Sequence, residues 1–133
     1  MSNHLFLYGT LKTGVVPPEV AHAVQKLKPV ANATVHGFLY DLGAYPGAIL
    51  NSGSAQTISG LVVQFPNDPT VLAQLDQYEE FDQDSPETSQ FLRVRGIAVL
   101  ESGRKIGCWI YVYNHDPGSA PLLKDGKFPK QPC

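Results

Sequence analysis

The chain has 133 residues, 43% of them hydrophobic and 17% charged, which suits one domain able to bury its own core without metals or disulfides. A net charge of -2 offers nothing to a polyanion, so nucleic acid and anionic membrane are poor partners. No apolar run is long enough to span a bilayer.

Leu5 to Tyr8 is a short apolar run that reads as a buried strand stopped by a loop at Gly9. Pro17-Pro18-Glu19 then has the form of a helix start, with proline in the first turn and an acid at the positive end. Val20, Val24 and Leu27 keep helical spacing, Lys26 and Lys28 suit the negative end, and Pro29 is expected to stop the helix. Val30 to Leu42 reads as a strand with a bulge at Gly37. Tyr45-Pro46-Gly47 is a turn before a short strand from Ala48 to Leu50, and Ile58 to Phe65 is a further strand. Asp68-Pro69 marks a second helix, with Asp68 as N-cap and proline at the first helical position, running to about Glu79 or Glu80. Phe91 to Leu100 and Ile106 to Tyr113 read as two strands joined by a hairpin loop.

After Asn114 the chain is rich in Pro, Gly, Ser and Lys and reads as a tail, draped over the surface or disordered. The expected organisation is therefore one domain over residues 1–114 and an irregular tail over 115–133. The expected fold is α+β: a small, barrel-like, mixed and mostly antiparallel sheet of about six strands, with two or more flanking helices.

The second helix carries the main chemical signal. Leu72, Leu75 and Glu79 fall at i, i+3 and i+7, so Glu79 lies along the apolar stripe, while Glu80 is expected to stack above Asp76 on the polar side. A carboxylate facing the core, at the negative end of a helix, should have a raised pKa. That suits proton transfer near neutral pH. The bland alternative is an ion pair between Glu79 and an arginine such as Arg93 or Arg95. Those two arginines alternate along one strand face, the usual pattern of a solvated or ion-paired face, and Trp109, Tyr111 and Tyr113 alternate along another, the usual pattern of a core or sheet surface, with a pocket wall as the alternative.

The loop after the first strand brings backbone N–H groups to a point where they can meet an anion or a developing oxyanion. Gly9-x4-Gly14 has the glycine spacing of a P-loop, but Val15-Val16 stands where lysine and Ser/Thr are required, which excludes nucleoside triphosphate binding. Of the two cysteines, Cys108 reads as a small core hydrophobe, and Cys133 ends the chain. His4, His22, His36 and His115 show no metal-ligand spacing, so no metal is expected. With no basic segment before an apolar stretch at the N-terminus, the expected compartment is the cytoplasm.

Together these segments resemble the gamma-glutamylcyclotransferase-like family, in its gamma-glutamylamine cyclotransferase and avirulence-induced-gene-like branch. Tyr8-Gly9-Thr10-Leu11 is similar to the family's Y-G-[ST]-L signature, and Leu75-Asp76-Gln77-Tyr78-Glu79 to its L-D-x-[FY]-E segment. Gly37 to Gly43 followed by Tyr45-Pro46-Gly47, Phe91 to Val94, and Trp109 to Tyr113 are similar to three further segments in the same order. The resemblance implies release of 5-oxoproline from a gamma-glutamyl amide by attack of the substrate's own alpha-amine. It assigns Glu79 as the catalytic residue and Tyr8, Gly9, Thr10 and Leu11 as the substrate-binding loop. It implies a small-molecule gamma-glutamyl substrate and no cofactor. The chain departs from the family where Glu80 replaces a usual glycine, a position suited to a left-handed helix cap. A non-catalytic binder of a carboxylate or gamma-glutamyl ligand on the same fold is the rival reading. A purely structural role is the third.

Overall fold

The computed structural model describes residues 3–8, 18–43 and 46–126, with backbone only for 18–20. It contains six strands, β1 (His4–Leu7), β2 (Lys28–Asp41), β3 (Pro46–Leu50), β4 (Thr57–Gln64), β5 (Phe91–Leu100) and β6 (Lys105–Tyr113), and two α-helices, α1 (Pro18–Val24) and α2 (Pro69–Tyr78). A single 3-10 turn, Pro86–Thr88, precedes β5.

The strands run in the order β3-β2-β4-β1-β6-β5, and β2 also pairs with β5. That last pairing closes β2, β4, β1, β6 and β5 into a five-stranded barrel, with β3 an added edge on β2. All ladders are antiparallel except β1 with β6, where Leu5 and Phe6 face Trp109 and Ile110 in parallel register. The expected small mixed barrel with flanking helices is the observed fold.

Alternation along the strands separates two cores. Phe6 and Tyr8 point into the barrel with Val35, Leu39, Ile58, Val62, Cys108 and Ile110. Leu5 and Leu7 point the other way, into a layer with Val63, Phe65, Phe91, Tyr111 and the helix residues Ala23, Val71 and Leu75. β1 is buried on both faces, which is why its sequence is an unbroken apolar run rather than an alternating one. Burying a side chain of this kind contributes roughly 1.5–3 kcal/mol.

Two expectations about β2 are corrected. The first helix ends at Val24, and Pro29 lies inside β2 rather than stopping the helix. The register shift against β4 falls between Pro29 and Ala31, where proline lacks a ladder donor, and not at Gly37. At Gly37 the strand instead changes partner from β4 to β3. A side chain there would collide with the Ile49 carbonyl oxygen, so the close approach of β3 is what requires glycine.

Beyond β6 the chain runs back across the barrel. Asp41 N–H donates to Pro121 O (2.8 Å), Leu123 N–H to Leu39 O (2.7 Å) and Ser59 N–H to Gly126 O (2.8 Å). Leu123 packs against the barrel core. Residues 121–126 thus lie as a strap over β2 and β4. Cys133 lies outside the described residues. Among the described residues, no helix is long and apolar enough to cross a membrane.

Candidate active site

α2 begins as its sequence requires. Asp68 accepts from the Thr70 N–H at 3.0 Å, and Pro69 occupies the first turn. Val71 and Leu75 are fully buried against the outer face of the barrel, which fixes the rotation of the helix. Its far end is set by a Schellman closure. Phe81 N–H reaches back to Asp76 O (2.8 Å) and Glu80 N–H to Gln77 O (3.1 Å). Glu80 sits at φ +56°, the left-handed conformation in which this motif prefers glycine. Glu79 is the C-cap and turns its side chain into a partly buried position.

The Glu79 carboxyl has its pKa raised to about 7, first by burial and second by the nearby charge of Asp76. The Tyr8 and Tyr111 hydroxyls both feel the Glu79 charge, which places all three together where β1, β6 and α2 converge. Burial is the larger cause of the strong upward shift of both phenols. Tyr8 donates its hydroxyl to the Tyr111 carbonyl oxygen, and Tyr111 donates its own hydroxyl to Asp76 Oδ1 at 2.6 Å. Residue 111 therefore ties the start of the first loop, through its backbone, to the end of α2, through its ring.

Asp76 corrects the expectation that it lies on the polar side of α2. It is 6% exposed, and Arg93 grips it with both arms of a fork, Nε to Oδ1 at 2.8 Å and Nη2 to Oδ2 at 3.1 Å. The Arg93 guanidinium also lies 4.6 Å from the centre of the Trp109 ring, with Arg95 4.8 Å from it. Glu79 takes part in no ion pair among the described residues. The anticipated rival partner, Arg93, is committed to Asp76 instead.

Of the residues singled out in the sequence, the structure brings Tyr8 and Glu79 together. Gly9, Thr10 and Leu11 lie outside the described residues, as does the expected facing of their N–H groups toward Glu79. Two grooves, of about 600 Å³ beside Asn32, Ser59 and Leu100 and about 770 Å³ beside His36, Arg95 and Ile106, are lined by other residues than Glu79. No cluster of three or more metal-ligating side chains occurs among the described residues. Sequence reasoning did not single out Asp76, and it placed Tyr111 on a core, sheet-surface or pocket-wall face. The available signal was the 76/79 spacing of i, i+3, which makes the two carboxylates neighbours on α2.

The sequence matches the family model described as gamma-glutamyl cyclotransferase, AIG2-like, over residues 5–130. The chain belongs to that gamma-glutamyl cyclotransferase, AIG2-like family. A comparison with curated proteins finds no match. Among solved structures, the fold is shared with YkqA of Bacillus subtilis at 21% identity and a TM-score of 0.69, over 96% of this chain and 39% of that one. This chain thus spans well under half the length of that relative. An AIG2-like protein of Mus musculus matches at 21% identity and a TM-score of 0.69, over 92% of this chain and 86% of that one. A gamma-glutamyl cyclotransferase structure matches at 17% identity and a TM-score of 0.61, over 92% of this chain and 72% of that one. At these identities the likeness to the cyclotransferase-family structures is one of fold.

Proposed function

We propose that this chain is a gamma-glutamyl cyclotransferase that releases 5-oxoproline from a gamma-glutamyl amide, with Glu79 as the proton carrier. The observation that carries the reading is Glu79 itself: a partly buried carboxyl, without an arginine partner among the described residues, beside Tyr8 at the start of the Y-G-T-L loop.

The reaction needs little else from the protein. The alpha-amine nitrogen attacks the gamma-carbonyl carbon of the same molecule, forming the five-membered lactam and breaking the bond to the departing amine. Nucleophile and electrophile are already joined, so holding them in the reacting geometry accounts for up to roughly 7–11 kcal/mol of barrier lowering. The attacking nitrogen must shed a proton and the departing nitrogen must gain one. A carboxyl with a pKa of about 7 takes the first proton from an amine and gives it up to the second without a deep trap at either stage. Tyr8, Gly9, Thr10 and Leu11 are the proposed substrate-binding residues, with loop N–H groups steadying the carbonyl oxygen as it gains charge. The Tyr8 hydroxyl is committed to the Tyr111 carbonyl, so its part is to anchor the loop and not to transfer protons.

The test is a mass-spectrometric assay for 5-oxoproline over a panel of gamma-glutamyl amino acids, amines and isopeptides, comparing wild type with Glu79→Gln. Release by wild type and its loss in the near-isosteric variant are expected. A folded wild type that releases nothing from any compound would overturn the reading in favour of a non-catalytic ligand binder.

A further inference from the structure

We infer that Asp76 is a positioning residue whose task is to occupy Arg93, keeping that cation off Glu79 so that Glu79 stays free to carry a proton. The inference rests on the reading of Glu79 given above.

Three observations meet at Asp76. It is a buried carboxylate one turn before Glu79 on the same helix, and burial of an ion pair is not in itself a reliable source of stability. Its fork with Arg93 uses both carboxylate oxygens, the Tyr111 hydroxyl donates to Oδ1, and Gln83 Nε2 donates to Oδ2 at 3.5 Å. Arg93 also lies over the Trp109 ring at 4.6 Å and near Phe81 at 5.9 Å, uncharged neighbours that leave Asp76 as the anion that occupies it. Phe81 takes its place from the Schellman closure, so the same turn that presents Glu79 also braces its would-be neutraliser.

The described groups around Glu79 are thus Asp76 from α2, Tyr8 at the end of β1, Tyr111 from β6 and, behind Asp76, Arg93 from β5. Two are neutral phenols, one is an anion, and the cation is spoken for. Released toward Glu79, Arg93 would hold its carboxylate ionised and remove it from proton exchange at neutral pH. An arginine cannot be switched off by deprotonation, so it must be occupied by another group instead.

The experiment follows the Glu79 side-chain carboxyl by carbon-detected NMR titration of glutamate-labelled protein, using wild type, Asp76→Asn and the double variant Asp76→Asn/Arg93→Gln. Asparagine keeps the size of Asp76 and an oxygen for the Tyr111 hydroxyl. The wild-type midpoint should lie near 7. In Asp76→Asn it should fall by about one unit or more, and in the double variant it should recover part of the way, because the freed cation is gone. Loss of the Asp76 charge alone also lowers the midpoint, so the recovery in the double variant is what identifies a freed cation: where it stands on Asp76, Arg93 does not shift Glu79. An unchanged midpoint in Asp76→Asn overturns the inference, as does a double variant with no recovery. Should the single variant not fold, the double variant, which leaves net charge unchanged, still decides: a midpoint near wild type supports the inference, and one lower by a full unit or more overturns it, because the loss of the Asp76 charge alone would then account for the fall. The titration needs no substrate. Failure to find cyclotransferase activity is therefore separable from failure of this inference.

Discussion

Asp76 and Glu79 stand one turn apart at the end of α2, and of the two only Asp76 holds the arginine. Two acids on one face of one helix thereby receive opposite environments. Asp76 is clamped by a bidentate cation and a phenol, whereas Glu79 keeps a pKa of about 7.

This division has a direct kinetic expression. If Glu79 accepts the proton, kcat/KM should rise with pH through a midpoint near 7 as its carboxyl ionises. The measurement is a pH–rate profile on the best gamma-glutamyl substrate. A flat profile between pH 5.5 and 8 would remove Glu79 from the proton path.

The same raised pKa has a cost in stability, with a definite sign. A carboxyl that holds its proton more tightly folded than unfolded loses stability as pH rises from about 4.5, its ordinary value, to about 7. Glu79→Gln removes that loss. The variant should match wild type below pH 4.5 and exceed it by about 1–3 kcal/mol at pH 8, after allowance for partial exposure. Urea unfolding of both proteins at the two pH values checks it, and equal stability at pH 8 would contradict the raised pKa.

Glu80 should be replaceable with profit to the fold. At φ +56° a non-glycine residue is strained by about 1–2 kcal/mol, and glycine relieves most of this at some entropic cost. Glu80→Gly is expected to stabilise the protein by about 1 kcal/mol, visible as a Tm increase of a few degrees. A lower Tm would mean that the Glu80 side chain makes a contribution exceeding its backbone strain.

The strap depends on Gly126. At φ +65° it presses against the Thr57 carbonyl oxygen, where a side chain would collide. Gly126→Ala should release residues 121–126 from β2 and β4 and leave the barrel closed. Hydrogen exchange would then accelerate at the amides of Ser59, Asp41 and Leu123 but not at those of β5 and β6. Uniform acceleration would show that the strap is integral to the barrel.

Much of this was legible in the sequence because local signals and tertiary structure agree. Asp68-Pro69 started α2 where expected, and the apolar run Leu5 to Tyr8 was a strand buried on both faces. Pro29 misled because a proline after basic residues looks like a helix stop, while the chain had already left the helix and used the proline beside a register shift. Asp76 misled for a geometric reason. Stacking it under Glu80 assumes the helix continues, but α2 ends at Tyr78 and Glu80 lies in a left-handed turn. With Glu80 removed from the helix, the neighbour of Asp76 is Glu79. The grip of Arg93 on Asp76 joins residues 17 positions apart, and no local pattern announces which acid an arginine will choose.

β1 lies between β4 and β6, so the first strand of the chain is completed only by the last. The bond from Tyr8 to Tyr111 spans 103 positions in sequence. Loop closure of that length is among the slow events of folding, after local hairpins such as β5–β6 have formed. During synthesis, then, the two halves of the site cannot meet until β6 has left the ribosome. Any catalytic turnover would report a chain in which β6 has found β1, and one cut before β6 would be silent however much native sheet it contained.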